Sequence, residues 1–285
     1  MRIAVLTAIA MLAFAANSVL ARLAFATADA EPLSYTGVRL ASGAIVLFAL
    51  LALRQPGKRI QLGGSWTAAA ALFGYALAFS IAYILLGAGT GALILFASVQ
   101  IGILGWAVLK GDRPGALEWL GLAIASAGFV YLVSPGLVAP PPLGTLLMVA
   151  SGLCWATYTL LGRSSQSPLT DTAGNFIRCL PVAIVLIAAG LVMHPLNPAA
   201  LAYAVASGAI ASGLGYAIWY AALPRLTRTR AAIVQLTVPA IAAAGGVLLI
   251  GEPLTPRLVI ASIGILGGVA FALITADRRR AVAKT

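Results

Sequence analysis

Charge is what this 285-residue sequence lacks most: 9% of its residues are charged, 18 basic and 7 acidic, against 61% apolar and a mean hydropathy of +1.03. An average soluble domain carries about 25% charged residues. So few charges cannot solvate the surface of a chain this long, which excludes an ordinary cytosolic enzyme and a disordered protein. Cysteine is as scarce. Cys154 and Cys179 both lie in apolar stretches, which excludes a secreted disulfide scaffold and offers no metal-ligand spacing. With His194 as the one histidine, a zinc site is not expected, and neither is a cofactor. The net charge of +11 suggests nucleic acid, but the basic residues sit in short connections and not along one face, so no nucleic-acid partner is expected. The partner of this surface is the lipid bilayer.

What the sequence has instead is long apolar runs. A helical crossing needs about 20 mainly apolar residues. Ten such runs stand out, at 3–26, 33–53, 65–86, 89–110, 117–134, 143–162, 173–192, 201–223, 230–250 and 257–275. The expected fold class is all-α: a polytopic membrane protein of ten transmembrane helices. The connections are short, the clearest being Arg54 to Leu62, Lys110 to Ala116, Ser134 to Pro142 and Pro224 to Arg230, and no soluble domain fits between two runs. The first run has the basic start and small-residue segment of a signal peptide, but its apolar length exceeds the usual 7–15 residues. It is read as a retained helix.

Basic charge sets the orientation. With the N-terminus in the cytoplasm, that side holds Arg2, Arg54, Lys58, Arg59, Lys110, Arg113, Arg163, Arg225, Arg228, Arg230, Arg278, Arg279, Arg280 and Lys284; the opposite connections keep only Arg257. The expectation is a bacterial inner-membrane protein with both termini cytoplasmic.

The two halves also align. A shift of 140 pairs Gly111-Asp112 with Gly251-Glu252, Gly91-Ala92 with Ala231-Ala232, and Gly128 with Gly268. A shift of 141 pairs Phe14 with Trp155, Asn17 with Tyr158 and Arg22 with Arg163; a shift of 139 pairs Arg39 with Arg178. This predicts two five-helix repeats, 1–134 and 143–285, joined by the loop 135–142. Five is odd, so the second repeat enters the membrane from the opposite face, the inverted topology of alternating-access transporters built around a central cavity.

The segment Ser212-Gly213-Leu214-Gly215-Tyr216-Ala217-Ile218-Trp219-Tyr220-Ala221-Ala222-Leu223 resembles the eighth-helix signature of EamA-type transporters of the drug/metabolite transporter superfamily. Ala231-Ala232, Pro239 and Gly251-Glu252-Pro253-Leu254 follow at that family's spacing, and Arg39 matches its second-helix arginine. Asp112 stands where the family usually has Glu, and Gln100 near where many members have Pro. The resemblance implies ten helices in two inverted repeats, with a cavity enclosed mainly by helices 1, 3, 4, 6, 8 and 9. Within the family, the chain is similar to YddG-like exporters of aromatic and other amino acids, which implies neutral amino acids as the small-molecule substrate.

Candidate binding residues are the polar and aromatic side chains well inside the runs: Asn17, Tyr75, Phe79, Ser98, Gln100, Trp155, Tyr158, Tyr216, Trp219 and Gln235. Tyr75, Phe79 and Tyr83 recur every fourth residue and form one helical stripe. These aromatic faces can box an apolar side chain, while Asn17, Ser98 and Gln235 can hold a polar backbone group. Asn17 and Gln235 can equally bond across helices, and aromatics near helix ends, such as Tyr83 and Tyr220, can serve as packing contacts or an interfacial belt. Gln100 and Ser98 point to different faces. Arg22 and Arg39 can meet a substrate carboxylate near the outer mouth, with Arg163 and Arg178 as their counterparts inside. Pro181 and Pro239 free backbone carbonyls and are candidate hinges. Gly121 with Ala125, and Gly264 with Gly268, are spaced for close helix packing.

All seven acids, Asp29, Glu31, Asp112, Glu118, Asp171, Glu252 and Asp277, fall in connections or at run ends. Proton relays through membranes normally use buried carboxylates or histidines, and a lipophilic cation needs one as well. The resemblance implies export of amino acids, aromatic and other neutral ones, and related metabolites, and the acid-poor core adds the expectation of facilitated diffusion, with the monomer as the working unit and a dimer as the alternative. The rivals are a multidrug or nucleoside-type exporter of the same fold, proton-coupled or not; a membrane enzyme, for which no reactive cluster is found; and a non-transporting scaffold or receptor, which has no need for inverted halves or a polar midplane.

Overall fold

The computed structural model describes residues 2–54, 60–111, 114–134, 136, 139–163, 165–195, 197–226 and 228–282. Lys58, Arg59, Asp112, Arg113, Pro135, Leu137, Val138 and Lys284 lie outside the described residues, as do the side chains of Arg2, Pro224, Arg228, Arg230, Ala232, Asp277 and Arg280.

Lipid offers no hydrogen bonds, so each crossing must satisfy its backbone internally, and a helix does that within one segment. The described residues are all-helical, without strands, in short-looped succession: α1 (Arg2–Thr27), α2 (Pro32–Arg54), α3 (Trp66–Leu85), α4 (Ala88–Leu109), α5 (Ala116–Val133) and α6 (Pro142–Gly162). The seventh span, α7, is a pair of helices, Pro168–Arg178 and Leu180–Met193, bent by 43°. Then come α8 (Pro198–Ala222), α9 (Ile233–Ile250) and α10 (Pro256–Val282). Among the described residues nine helices are long and apolar enough to cross a membrane, and the bent pair makes a tenth. The protein is a polytopic membrane protein.

Local chemistry sets the ends. Ser65 accepts from the Ala68 amide at 3.1 Å to start α3. Asn197 does the same for Ala199 at 2.9 Å in α8. Glu31 accepts from the amides of Leu33 (2.9 Å) and Ser34 (2.7 Å) in the first turn of α2, where exposed N–H groups favour an acid. Gly251 ends α9 at φ 74°, a left-handed conformation that glycine adopts without steric cost.

Three runs are less regular than their sequence suggests. The run expected at 173–192 begins at Pro168, and its bend at Cys179 follows from Pro181, which has no N–H to continue the ladder. The run at 230–250 is broken between Gln235 and Val238, just before Pro239. Within α8, Ala206–Leu214 forms a π-helix, which a 3.6-residue reading does not anticipate.

Eight spans make the body of the bundle. α1 packs on α3, α4, α8 and α9; α6 packs on α3 and α4; α2 packs on α3, α7 and α8; and α4 packs on α9. α5 and α10 form a closely packed pair at the side. Their contact is as tight as the small-residue spacing predicts: a Cβ on Gly121 would lie 2.7 Å from the Gly268 carbonyl oxygen. Replacing each span number by the one five places away turns the α1–α8 contact into α6–α3, α1–α9 into α6–α4, and α2–α8 into α7–α3. The pairs α2–α7, α4–α9 and α5–α10 map onto themselves.

Candidate functional site

About midway along the bundle, α1, α3, α4, α6 and α8 enclose a small pocket walled by Phe14, Asn17, Ser18, Tyr75, Phe79, Leu95, Phe96, Trp155 and Tyr216. Its volume is about 20 Å³, room for about one water. Trp155 is the hub, with ring centroids 4.8 Å from Tyr75, 5.1 Å from Tyr216, 5.4 Å from Tyr158 and 6.4 Å from Phe14. Tyr75, Phe79 and Tyr83 stack along α3 at 5.4 and 4.6 Å, the stripe read from their spacing.

Behind this wall stands Arg39. It is 2% exposed and its guanidinium lies over the rings of Phe79 (4.7 Å) and Tyr75 (5.2 Å). Nη2 donates to the Tyr75 hydroxyl at 2.9 Å, and Nε reaches Ser212 Oγ at a long 3.4 Å. Nη1 is buried without a hydrogen-bond partner. Arg39 therefore sits in the body of the bundle and not near the outer mouth, the place expected for it.

The π-helix completes the polar wall. Five residues of an α-helix subtend about 500°, which leaves their side chains roughly 140° apart. The i→i+5 bonding of a π-helix widens the turn and brings such residues towards one face. Ser207 and Ser212, five apart, accordingly both donate to Asn17 Oδ1, at 2.8 and 3.4 Å. The sequence carries a signal for this: the tripeptide Ala-Ser-Gly occurs at Ala206 and again at Ala211. Only that period marks Ser207 and Ser212, because small residues carry no other signal in so apolar a chain.

The pocket's two ends differ. On one side a half-open vestibule of about 480 Å³ is lined by the start of α3 (Gly64, Ser65, Ala68), the end of α6 (Tyr158, Leu161, Gly162), the α6–α7 connection, Asp171, Thr172 and Asn175 of α7, and Tyr220 of α8. α7 clasps the segment before α3. Asp171 accepts from the Gly64 amide at 2.8 Å and from the Ser165 hydroxyl, Asn175 Oδ1 accepts from the Ser65 amide at 2.9 Å, and Arg178 Nη1 donates to the Gly63 carbonyl at 2.5 Å. On the other side Arg22 Nε meets Glu252 Oε1 at 2.8 Å, Arg22 Nη1 donates to the Tyr83 carbonyl at 2.9 Å, and Glu252 Oε2 accepts from the Ala88 amide at 2.7 Å. The left-handed turn at Gly251 leads directly into Glu252. One ion pair thus ties α1, α3 and α4 to the turn after α9.

The expected residues divide accordingly. Asn17, Tyr75, Phe79, Trp155 and Tyr216 share the pocket. Tyr158 faces the vestibule, and Trp219 packs its edge on Phe14 at 5.8 Å. Ser98 bonds back to Ile94 of its own helix at 2.8 Å, Gln235 bonds back to Ala231 at 3.1 Å, and neither lies on the pocket wall. Gln100 is buried away from that wall. Of the six helices that the resemblance placed around the cavity, α9 adds no lining residue. Arg178 is no counterpart of Arg39: it is half-buried, over the Trp66 ring at 5.9 Å. Arg22 is committed to Glu252. Tyr83 is fully buried, which removes it from an interfacial belt. Pro181 and Pro239 sit at the helix breaks in α7 and α9. Phe14, Ser18 and Phe96 line the pocket without having been candidates, because apolar and small residues carry no signal of their own in so apolar a chain.

A ten-span helical bundle with a central pocket and a vestibule on one side is the architecture of a membrane transporter. The family model described as "EamA-like transporter family" matches residues 142–274. An uncharacterized Pseudomonas aeruginosa protein, PA1977, is 51% identical over 272 residues, 95% of this chain and 94% of that one. The threonine/homoserine exporter RhtA of Salmonella typhimurium is 30% identical over 172 residues, 58% of this chain and 57% of RhtA. A solved crystal structure shares the fold at a TM-score of 0.65 and 22% identity, covering 95% of this chain and 99% of that one. The chain belongs to the EamA-like transporter family, within the drug/metabolite transporter superfamily. That membership points to a small-molecule exporter and not to an enzyme.

Proposed function

We propose that the protein exports neutral amino acids, aromatic ones among them, and related small metabolites from the cytoplasm across the bacterial inner membrane by alternating access. The observation that carries this reading is the aromatic-walled pocket lying beside a half-open vestibule of about 480 Å³. The vestibule lies at the end where the connections after α2, α6 and α8 carry Arg54, Arg163 and Arg225, and basic connections face the cytoplasm. In this reading the chain faces inward, both termini are cytoplasmic, and Arg22 with Glu252 seals the outer end. The exchange of packing partners between spans five apart supports two inverted repeats, 1–134 and 143–285. The pocket wall is formed within one chain, so the monomer is the working unit.

Among the described residues no carboxylate lines the pocket, which favours facilitated diffusion over proton antiport and a neutral substrate over a cationic drug. The name of RhtA, an amino-acid exporter, supports the substrate class. Uptake of labelled tryptophan, threonine and methionine into proteoliposomes tests this, with and without a pH gradient and with cationic dyes as competitors. Saturable uptake that the gradient does not drive and the dyes do not inhibit is expected. Uptake of none of the three overturns the amino-acid reading, and strong driving by the gradient overturns facilitated diffusion.

A further inference from the structure

Arg39 is a buried cation without a counter-ion among the described residues. The described carboxylates that make contacts are engaged elsewhere: Glu31 on α2, Glu118 with Arg279 at 2.6 Å, Asp171 on the α3 approach and Glu252 with Arg22. A charged side chain held inside a membrane bundle without an anion is costly and normally marks a ligand path. Its guanidinium stacks on two pocket-wall rings and donates to the hydroxyl of one of them, leaving Nη1 unused.

The polarity of the wall agrees. Tyr75 accepts from Arg39, which leaves its own O–H proton to donate. Asn17 uses its oxygen for Ser207 and Ser212, which leaves its NH₂ group. The wall thus offers donors backed by a positive charge, with no acid to receive an ammonium group. We infer that Arg39 makes the pocket a carboxylate site. Substrates are held by a carboxylate group, a small apolar monocarboxylate suffices for binding, and an amine without a carboxylate is rejected. The inference rests on the reading of the bundle as a transporter with a central site, and it makes the carboxylate the feature recognised.

The test is ligand-induced thermal stabilisation of the purified, detergent-solubilised protein. The probes are phenylalanine (both groups), 3-phenylpropionate (carboxylate only) and phenylalaninamide (amine only), and the same three are followed by transport in proteoliposomes. Phenylalanine and phenylpropionate should stabilise the protein, and the amide should not. In Arg39→Gln and Arg39→Met, carboxylate affinity should fall by about ten- to hundredfold, the range for a hydrogen bond to a charged group. The ligand-free protein should be no less thermostable in these variants, since an uncompensated charge has gone, whereas a merely structural arginine would lower the melting temperature on removal. If either variant fails to fold, the wild-type series still decides. Equal binding of amide and carboxylates, or binding of neither carboxylate, overturns the inference. Transport of phenylalanine and its amide at equal rates sinks the inference but leaves the exporter reading standing. Binding and transport of phenylpropionate without any amino acid sinks the amino-acid reading and leaves Arg39 as the carboxylate site.

Discussion

At the vestibule end, the pocket stops at stacked rings. Trp155 and Tyr216 line the pocket, while Tyr158 and Tyr220, one helical turn further on, line the vestibule. At the opposite end Phe79 leads to fully buried Tyr83, and beyond it Arg22 and Glu252 bind across chain segments 230 residues apart. Rings can part by rotating side chains, whereas the ion pair is hydrogen-bonded to the backbone of α3 and α4 and yields only if helices move. In the proposed exporter this contrast leaves one side ready to open while the other is held by the ion pair.

Removing the lock should have the largest effect. Glu252→Gln removes the anion from Arg22 and leaves one acceptor oxygen where Arg22 and the Ala88 amide had two, a cost of about 2–3 kcal/mol to the sealed end. That shifts the balance towards opening there by roughly thirty- to 150-fold. A cysteine at Ser18, on the pocket wall, in a background lacking Cys154 and Cys179, should then react with an impermeant maleimide added from the sealed side; unchanged labelling would mean that the lock is decorative. Trp155→Ala attacks the other end. It should merge vestibule and pocket, speed labelling of a Ser18→Cys variant from the vestibule, raise KM for aromatic substrates, and lower stability by about 3 kcal/mol, the low end for a tryptophan that is only partly buried. Normal KM and labelling would remove Trp155 from the barrier.

Two smaller changes sharpen the comparison from outside the pathway. Gly121→Ala places a methyl group against the backbone of α10, and overpacking of this kind costs about 1–3 kcal/mol. Thermal stability should drop while KM holds, because α5 and α10 line neither cavity; a changed KM would couple that pair to the site. Asp171→Asn weakens the clasp on the segment before α3 by about 1 kcal/mol. Hydrogen exchange at the Gly64 and Ser65 amides should quicken, with little change in transport.

The crossings were legible because lipid forces every span to be long, apolar and helical, so hydropathy alone finds them. Pro181 and Pro239 marked real breaks for the same reason: a missing N–H has no water to replace it. The small-residue spacing of α5 and α10 gave their contact. Within the site, Asn17, Tyr75, Phe79, Trp155 and Tyr216 were legible as polar or aromatic residues at mid-depth. Ser98, Gln100 and Gln235 met the same description and lie elsewhere, because depth along a helix does not fix which face meets the cavity. Ser207 and Ser212 escaped because their convergence depends on a π-helix, visible only as an Ala-Ser-Gly repeat of period five.

By itself the sequence determined that this chain is a membrane-spanning helical bundle, since composition and the length of apolar runs answer directly to the solvent around each segment. Only the tertiary structure decided which charges are answered. Glu252 finds Arg22 across most of the chain while Arg39, deep among aromatic rings, finds no acid among the described residues, because electrostatic partnership depends on distance in space and not on position in the sequence.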